Sequence, residues 1–320
     1  MRQLRIGGDR GLDVSALCLG GMHFGTSTDE ATAFAVLDRF LEAGGTFIDT
    51  ANTYAFWPEG GTGEESEELI GRWLRSRGVR DRVVLATKVG ALPVPLDAPW
   101  PEAAEGLSAE VIGRQAKASL ERLGTDRIDL YYAHIEDRHT PLEETVAAFG
   151  ELVEHGTVRL LGCSNHAAWR IERARTLARE AGVAGYTCVQ QRATYPRPRP
   201  GADFGVNPHV SDELLDYVAA EPDLTLLGYS TLLGGALSRP DRPVPEQYDH
   251  PGTPARLAAL ARIADEVGAT PNQVALAWLM RGTPAVLPVI GVSSVAQLEE
   301  CLAAVDLELD PGHLARLDAA

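Results

Sequence analysis

The sequence predicts a single α/β domain over residues 1–320, folded as an eight-stranded (β/α)8 barrel of the TIM type. Eight short apolar runs typical of strands alternate with amphipathic stretches typical of helices, a pattern that favours a parallel sheet. Eight such units without a linker favour closure of that sheet into a barrel. A doubly wound sheet is the alternative, but the first strand ends in LGGMHFG, which is not the GxGxxG fingerprint of that fold.

The first predicted element is a short N-terminal β-hairpin over residues 4–14, LRIGGDRGLDV, which precedes the barrel. The barrel strands follow as short, mostly apolar runs. These runs lie near 16–19, 46–49, 83–87, 128–133, 157–162, 186–190, 224–228 and 286–290. Because parallel barrel strands end at one rim, polar residues that directly follow these runs are expected on the same face.

Between the strands, the predicted helices show apolar residues at spacings of three and four. Four of them end at a glycine, the residue that most readily ends a helix; they are 30–44, 66–78, 108–124 and 141–156. Ser108 is a predicted N-cap, and Pro141 suits a first helical turn. The stretch 271–280, PNQVALAWLM, predicts a further helix before the last strand.

Three irregular segments rich in Pro, Gly and charged residues are predicted to be long loops, namely 91–107, 195–210 and 234–254. Each lies between periodic segments, so none is interpreted as a domain boundary. Since the loops after barrel strands surround the active site, we expect these three to determine substrate specificity.

The formal net charge of −16 and a pI near 4.9 argue against nucleic acid or an anionic membrane as a partner. No run is long and apolar enough to span a membrane, and residues 1–11 lack the apolar region of a signal peptide, so a cytoplasmic protein is expected. The cysteines show no metal-ligand or CxxC spacing, and no metal is expected. Cys18, Cys163 and Cys188 fall in or beside strand-like runs and are interpreted as small buried residues.

Four residues of the first half have side chains suited to catalysis: Asp49, Tyr54, Lys88 and His134. Asp49, Lys88 and His134 end or follow strand-like runs and Tyr54 lies in the loop after the second, so all four are expected at one rim. An ammonium favours a phenolate, so Lys88 is expected to lower the pKa of Tyr54, while Asp49 keeps Lys88 charged. With His134 to orient a carbonyl, the set is suited to protonate its oxygen as a cofactor delivers a hydride.

Each of these four residues also has a structural interpretation when it is taken alone. Asp49 is interpretable as a helix cap and Tyr54 as an aromatic residue of the core. Lys88 is interpretable as a solvated residue at a strand end, and His134 as a histidine of the core. These interpretations give no reason for a Lys and a His to end neighbouring strands at the catalytic face. The catalytic interpretation is therefore preferred.

Nine stretches in order along the chain resemble bacterial members of the aldo-keto reductase family. They are LCLGGMHFG (17–25), FIDTANTY (47–54), EELIGRWL (67–74), LATKVG (85–90), DLYYAH (129–134), GCSN (162–165), VQ (189–190), GYS (228–230) and VIGVSSVAQLEE (289–300). The resemblance implies NAD(P)H-dependent reduction of an aldehyde, ketone or sugar carbonyl. It implies that Tyr54 gives the proton, that Asp49 and Lys88 support it, and that His134 orients a small-molecule carbonyl substrate.

The resemblance also implies the residues that bind the cofactor. Ser164, Asn165 and Gln190 match those that hold the nicotinamide amide, and such side chains offer both donors and acceptors. Gln191 is an alternative to Gln190. Tyr229 matches a residue that stacks on the nicotinamide ring. Further cofactor contacts are implied for Gly21, Met22, Ser230, Leu232 and Gly234.

The segment GVSSVAQLEE after the last strand resembles the one that binds the adenosine end of the cofactor. A helix N-terminus there supplies free N–H groups for a phosphate. Many members place Arg or Lys in this segment for the 2′-phosphate of NADPH, but here no Lys or Arg lies between 282 and 312. The family resemblance implies NADP(H), while the missing basic residue leaves NAD(H) as an alternative. The matching residues are Gly291, Ser293, Ser294, Gln297 and Glu300.

The substrate pocket is expected to be lined from the loops after the first three barrel strands, by His23, Phe24, Trp57 and Trp100. Two exposed tryptophans favour a substrate with an apolar or sugar-ring face. The run 197–201, RPRPG, is interpreted as a rigid rim, and a polyproline ligand for an SH3-type domain is the alternative. Arg192, Arg197 and Arg199 are candidates for binding an anionic substrate.

Two other functions stay open at this point. One is an NAD(P)-dependent alcohol or sugar dehydrogenase that runs oxidatively with Tyr54 as base, favoured by the missing basic residue. The other is a cofactor-binding regulatory subunit, which the complete catalytic set and the lack of an interaction tail disfavour, so no partner protein is implied. A barrel hydrolase would need paired carboxylates at the strand ends, and Asp49 has a lysine partner instead.

Overall fold

A closed barrel of eight parallel strands forms the body of the computed structural model, which describes residues 1–239 and 241–320. The strands are β1 (Gln3–Ile6), β2 (Leu12–Ser15), β3 (Cys18–Gly20), β4 (Phe47–Asp49), β5 (Val84–Val89), β6 (Ile128–Ala133), β7 (Val158–Ser164), β8 (Tyr186–Arg192), β9 (Thr225–Tyr229) and β10 (Val286–Gly291). Strands β3 to β10 pair in sequence order, and β10 closes the barrel against β3. The predicted (β/α)8 barrel is confirmed.

The hairpin predicted over 4–14 is also confirmed, with β1 antiparallel to β2 and Ile6 opposite Leu12. Ile6 and Leu12 are buried in one apolar cluster with Phe47 and Leu160, which point into the barrel. Since Phe47 and Leu160 lie in the first halves of their strands, the hairpin closes the N-terminal end of the barrel. The opposite end is left for the functional site.

Side chains of the barrel strands point alternately into the barrel and toward the helices, with the period of two that a strand imposes. In β5, Ala86 belongs to the interior cluster, whereas Leu85 packs in the cluster beneath the helices. Thr87 also points outward, and its hydroxyl donates to Glu67. This alternation directs the next residue, Lys88, into the barrel at its C-terminal rim.

Ten helices are described, and most cover the outside of the barrel. They are α1 (Glu30–Glu42), α2 (Glu65–Arg77), α3 (Ala109–Leu123), α4 (Leu142–Glu154), α5 (Ala168–Ala181), α6 (Asp212–Ala220), α7 (Thr253–Val267), α8 (Pro271–Arg281), α9 (Val295–Ala303) and α10 (Pro311–Ala319). The five predicted helices correspond to α1 to α4 and α8. Ser108 is the N-cap of α3, and its Oγ accepts from the N–H of Val111 at 3.3 Å.

The helices α2 and α3 approach so closely that a side chain would not fit at one position. A Cβ added to Gly71 of α2 would lie 2.2 Å from the carbonyl oxygen of Arg122 in α3. The guanidinium of Arg122 then reaches back to the buried carboxylate of Glu67 at 2.6 Å.

Among residues 1–239 and 241–320, no helix has both the length and the apolar character needed to cross a bilayer.

Candidate active site

Three strand ends bring ionisable side chains together at the C-terminal rim. Asp49 ends β4, Lys88 is the penultimate residue of β5, and His134 follows β6. The strand register pairs Asp49 with Ala86, two residues before Lys88, and Lys88 with Tyr132, two residues before His134, so strand alternation directs all three side chains into the barrel. The predicted convergence therefore follows from strand alternation and register.

Lys88 is fully buried, and its Nζ donates three hydrogen bonds. The acceptors are the carboxylate of Asp49, the carbonyl oxygen of Thr50 at 2.8 Å and the hydroxyl of Tyr54 at 3.1 Å. An ammonium has three donors, so its hydrogen-bonding capacity is filled. The second oxygen of Asp49 accepts from Nε2 of Gln190 at 2.9 Å. This network holds the Tyr54 hydroxyl beside a fixed cation.

Burial and charge act in opposite directions on this pair. Burial favours the neutral amine of Lys88, but the attraction and hydrogen bonds of Asp49 and Tyr54 together outweigh burial and raise the pKa of Lys88 above its ordinary value. For Tyr54, burial favours the neutral phenol and raises the pKa, and the attraction of Lys88 opposes this only in part. Lys88 thus lowers the pKa of Tyr54, as predicted, but the desolvation of the phenolate exceeds that attraction and leaves the net pKa of Tyr54 above its ordinary value. Tyr54 is thus protonated near neutral pH, the form required of a proton donor.

His134 lies edge-on to the Tyr54 ring, with the ring centroids 5.8 Å apart. Burial, reinforced by the charge of Lys88, holds the pKa of His134 well below its ordinary value, so the ring is neutral. Its Nδ1 is buried without a hydrogen-bond partner among the residues that the structure describes. A neutral imidazole next to the phenol is able to donate one N–H to an oxygen bound there.

Asn165 joins the ends of three strands beside this pair. Its Nδ2 donates to the carbonyl oxygen of His134 at 2.9 Å and to Oγ of Ser164 at 3.0 Å. Its Oδ1 accepts from the hydroxyl of Tyr229 at 2.7 Å. The backbone of Asn165 has a φ of 63°, in the left-handed region that Asn adopts more readily than most residues. These bonds keep that conformation in place.

The two glutamines of β8 differ in direction. Gln190 points into the barrel toward Asp49, whereas Oε1 of Gln191 accepts from the backbone N–H of Asn165 at 3.0 Å. Both side chains are buried. The interior position favours Gln190 over Gln191 as the residue that faces a nicotinamide amide.

A cavity of about 350 Å³ lies between the loops that follow β8 and β9. The predicted contacts Ser230 and Gly234 line it, but Leu232 does not. Leu232 packs against apolar clusters on either side, and Leu233 lines the cavity in its place, with a φ of 48°. The lining residues are Arg192, Asp203, Phe204, Ser230, Leu233, Gly234, Pro245, Gln247 and Tyr248.

Arg192 is the one arginine of the three candidates that lines this cavity. Its guanidinium lies 5.3 Å from the ring centroid of Tyr229 and 5.2 Å from that of Phe204. Arg197 bonds His250 through its carbonyl oxygen, and Arg199 is 3.5 Å from the exposed carboxylate of Glu246. The guanidinium of Arg192 therefore lies between the cavity and the ring of Tyr229, which is predicted to face the nicotinamide.

The adenosine segment has the predicted helix N-terminus, since α9 begins directly after Ser294. The Oγ of Ser294 accepts from the N–H of Gln297 at 3.3 Å, and Oε1 of Gln297 accepts from the N–H of Ser293 at 2.8 Å. The carboxylate of Glu300 accepts hydrogen bonds from two residues at the start of α8. Gly291 ends β10 with an exposed backbone. The segment thus offers hydroxyl and amide groups where a basic side chain is common in the family.

Aromatic side chains form one wall at the catalytic face. Phe56 lies between the two predicted tryptophans, with ring centroids 5.5 Å from Trp57 and 6.2 Å from Trp100. Trp57 is 51% exposed and Trp100 is 37% exposed. The indole N–H of Trp100 donates to the carbonyl oxygen of Ala91 at 2.9 Å, which fixes the ring on its loop. The wall therefore presents flat apolar surface to solvent.

The loop after β3 corrects one of the pocket predictions. Phe24 is 1% exposed and packs with Ile70 in the cluster beneath the helices, so its assignment to the substrate pocket is wrong. A turn in which the N–H of Phe24 donates to the carbonyl oxygen of Gly21 at 3.0 Å returns its ring to that core. His23 is partly exposed and Met22 is 39% exposed, so these two stay available on the rim.

Several contributors to the site were missed at the sequence level. Thr50 and Asn52 lie inside the motif FIDTANTY, so their closeness to Asp49 was a signal that they adjoin the site. Phe204 and Tyr248 come from loops without periodicity, and no sequence pattern places them beside Arg192. Only the packing of the two loops reveals them.

This arrangement suits the transfer of a proton to or from an oxygen held between Tyr54 and His134. It also fits a nicotinamide dinucleotide on three structural grounds. The strand ends carry amide and hydroxyl side chains, Tyr229 offers an aromatic face, and a cavity of about 350 Å³ adjoins it. The Nδ1 of His134, which has no partner among the described residues, leaves hydrogen-bonding capacity beside Tyr54.

Comparison with known proteins supports the same class. A model of the aldo/keto reductase family matches residues 16–320. The chain is 36% identical to the oxidoreductase YrpG of Bacillus subtilis, over 97% of this chain and 93% of that protein. It is 35% identical to norsolorinic acid reductase stcV of Emericella nidulans, over 96% and 78% of the two chains. It is 29% identical to aryl-alcohol dehydrogenase [NADP(+)] of Phanerodontia chrysosporium, over 95% and 82%.

Proposed function

The chain belongs to the aldo/keto reductase family and is an oxidoreductase, and from this premise we propose that it reduces an aldehyde or ketone to the alcohol with Tyr54 as proton donor. The observation that carries the proposal is the buried network in which Lys88 bonds both Tyr54 and Asp49, beside a neutral His134.

Each residue of this network has a distinct task in the proposed reaction. Tyr54 gives its proton to the substrate oxygen as that oxygen gains negative charge. Lys88, 3.1 Å away, stabilises the phenolate left behind, and Asp49 keeps Lys88 charged and in place. His134 donates an N–H to the same oxygen and directs the carbonyl toward Tyr54. The low pKa of His134 keeps it in the neutral form that orients the substrate without competing as an acid.

A bound nicotinamide dinucleotide would supply the hydride. Ser164, Asn165 and Gln190 would hold its carboxamide, and Tyr229 would stack on its ring. The cavity beside Arg192 would receive the diphosphate, where a guanidinium offers several donors in one plane. The name of one relative, aryl-alcohol dehydrogenase [NADP(+)], supports NADP(H), whereas the absence of Lys and Arg between 282 and 312 supports NAD(H) as the alternative.

For the substrate we propose an aryl aldehyde or aryl ketone. The wall of Phe56, Trp57 and Trp100 offers aromatic faces that stack on a flat ring. The name of one relative, aryl-alcohol dehydrogenase, supports a substrate that contains an aromatic ring. Oxidation of the corresponding alcohol with Tyr54 as base is the second candidate, which the name of the dehydrogenase supports.

The substitution Tyr54→Phe tests the proposal. It removes the proton donor but keeps the ring, so we expect the turnover of an aryl aldehyde to fall by about 10²- to 10⁴-fold. NADPH and NADH binding, followed by quenching of tryptophan fluorescence, should stay nearly unchanged. Tyr186→Phe is the matched control, since that hydroxyl is buried elsewhere in the protein and should be dispensable. Equal loss of turnover and cofactor binding in Tyr54→Phe would contradict the assigned role.

A further inference from the structure

We propose that Glu105 is a positioning residue that fixes the Tyr54 hydroxyl against Lys88 and links both to the substrate loop 91–107. The inference rests on the proposed function, because it concerns how the proton donor is held. Glu105 lies near the end of that loop and outside every motif of the family resemblance.

The carboxylate of Glu105 accepts hydrogen bonds from three separate segments. Its Oε1 accepts from Nδ2 of Asn52 at 2.7 Å and from the backbone N–H of Gly90 at 3.0 Å. Its Oε2 accepts from Nε2 of Gln115 in α3 at 2.5 Å. Hydrogen bonds to an ionised acceptor are stronger than neutral ones, so this carboxylate is a firm junction.

Two of these segments carry the catalytic pair. Asn52 stands two positions before Tyr54, and Gly90 stands two positions after Lys88. A further bond, from the backbone N–H of Asn52 to the carbonyl oxygen of Lys88 at 3.2 Å, joins the same two segments. Glu105 therefore holds together the backbones on which the 3.1 Å contact between Tyr54 and Lys88 depends.

Neither Asn52 nor Gly90 has an obvious substitute for this acceptor. Asn52 is 1% exposed, and its Oδ1 has no partner among the described residues, so the bond to Glu105 is the one that its side chain makes there. Gly90 has a φ of 105°, a conformation that side chains rarely adopt, and its N–H is directed at Glu105. Removing the carboxylate leaves these two donors, and Nε2 of Gln115, without this partner and weakens the attachment of the segment that carries Tyr54.

Glu105 is also joined to the substrate loop 91–107 through its backbone. The backbone N–H of Glu105 donates to the carbonyl oxygen of Leu92 at 2.8 Å, and that of Val94 donates to Ala103 at 2.9 Å. These bonds close the base of the loop that carries Trp100. The side chain of Glu105 thus connects the base of the aromatic wall to the proton donor.

A small displacement of a catalytic group is costly, since about 1 Å of misplacement lowers rates by about 10²-fold. We therefore expect Glu105→Ala to lower kcat by about 10- to 100-fold, while KM for an aryl aldehyde and Kd for NADPH change less than about twofold. Glu105→Gln keeps an oxygen able to accept from Asn52 and Gly90, so it should restore most of kcat.

Asp137→Ala is the matched control. Its carboxylate anchors the same loop, by accepting from the N–H of Leu107 at 2.8 Å and the hydroxyl of Thr140 at 2.7 Å, but it makes no bond to Asn52 or Gly90. It should lower Tm by a similar amount with little change in kcat. Hydrogen exchange of the free protein should quicken over residues 50–56 in Glu105→Ala and stay unchanged in Asp137→Ala.

A double variant separates positioning from general destabilisation. If Glu105 acts through Asn52, then Glu105→Ala combined with Asn52→Ala should lower kcat no further than the worse single variant. Additive losses, a rise in KM alone, or equal losses of kcat in Glu105→Ala and Asp137→Ala would overturn the inference. An absence of nicotinamide-dependent turnover in the unaltered protein would instead refute the proposed function, and the exchange experiment would still test the junction.

Discussion

The side chain with the most demanding environment is Lys88, a cation without solvent exposure inside the barrel. Desolvation of an ammonium costs several kcal/mol, so the charge persists only because Asp49, Thr50 and Tyr54 accept all its donors. The same acceptors direct its field at the Tyr54 hydroxyl. Stability and proposed catalysis therefore depend on the same few bonds.

Lys88→Met tests this dependence. It leaves the buried carboxylate of Asp49 without its counter-ion, and breaking a buried pair in this way typically costs about 3–5 kcal/mol. We expect urea unfolding at neutral pH to show that loss in the free energy of unfolding, and we expect turnover to be abolished.

The companion variant Lys88→Met with Asp49→Asn separates the two effects. Removing the orphaned charge should recover most of the stability, because Asn still offers an oxygen to Gln190, but it should not recover turnover. If the single and double variants are equally stable, the cost does not arise from the unpaired carboxylate.

At the scale of elements, the ends of strands and helices do most to position the site. The strand β5 places Lys88 inward through its alternation, and helix α3 holds Gln115 against Glu105. The start of α3 is set by Ser108, whose hydroxyl caps the helix directly after the substrate loop. A helix end thus fixes one boundary of the loop.

Ser108→Ala should therefore lower the free energy of unfolding by about 1 kcal/mol, the usual cost of losing such a cap. Ser108→Asp should restore it, since a carboxylate caps equally well and favours the helix N-terminus. Thermal or urea unfolding measures both changes. Turnover should be nearly unaffected, and a loss of stability in Ser108→Asp as large as in Ser108→Ala would contradict the capping role.

At the scale of the whole molecule, desolvated histidines link folding to pH. Burial holds the pKa of His134 well below its ordinary value, lowers that of His166, and lowers that of His209 to about 4. In the unfolded chain each ring titrates at about 6.5. Between the lowered and the ordinary pKa the unfolded state binds more protons, so the free energy of unfolding rises with pH in that window.

We therefore expect stability to fall as the pH is lowered from about 7 to about 5, by at most about 1.4 kcal/mol per pH unit for each histidine. Carboxylates contribute mainly below that range, because their pKa values in the unfolded chain are about 4. Urea unfolding across this range measures the slope of the free energy of unfolding against pH. His209→Gln should reduce this slope by the contribution of one titrating histidine. A free energy of unfolding that does not change over the range would show that these rings are not neutral in the folded state.

The sequence by itself determined the order of strands and helices, the hairpin, and the rim on which Asp49, Lys88 and His134 meet. It did so because apolar periodicity and glycine helix ends are local signals, and because parallel strands must end on one face. The tertiary structure decided what depends on surroundings. The net pKa of Tyr54 follows from burial against charge, Phe24 turns into the core, and Glu105 joins segments far apart in the chain, none of which a local pattern encodes.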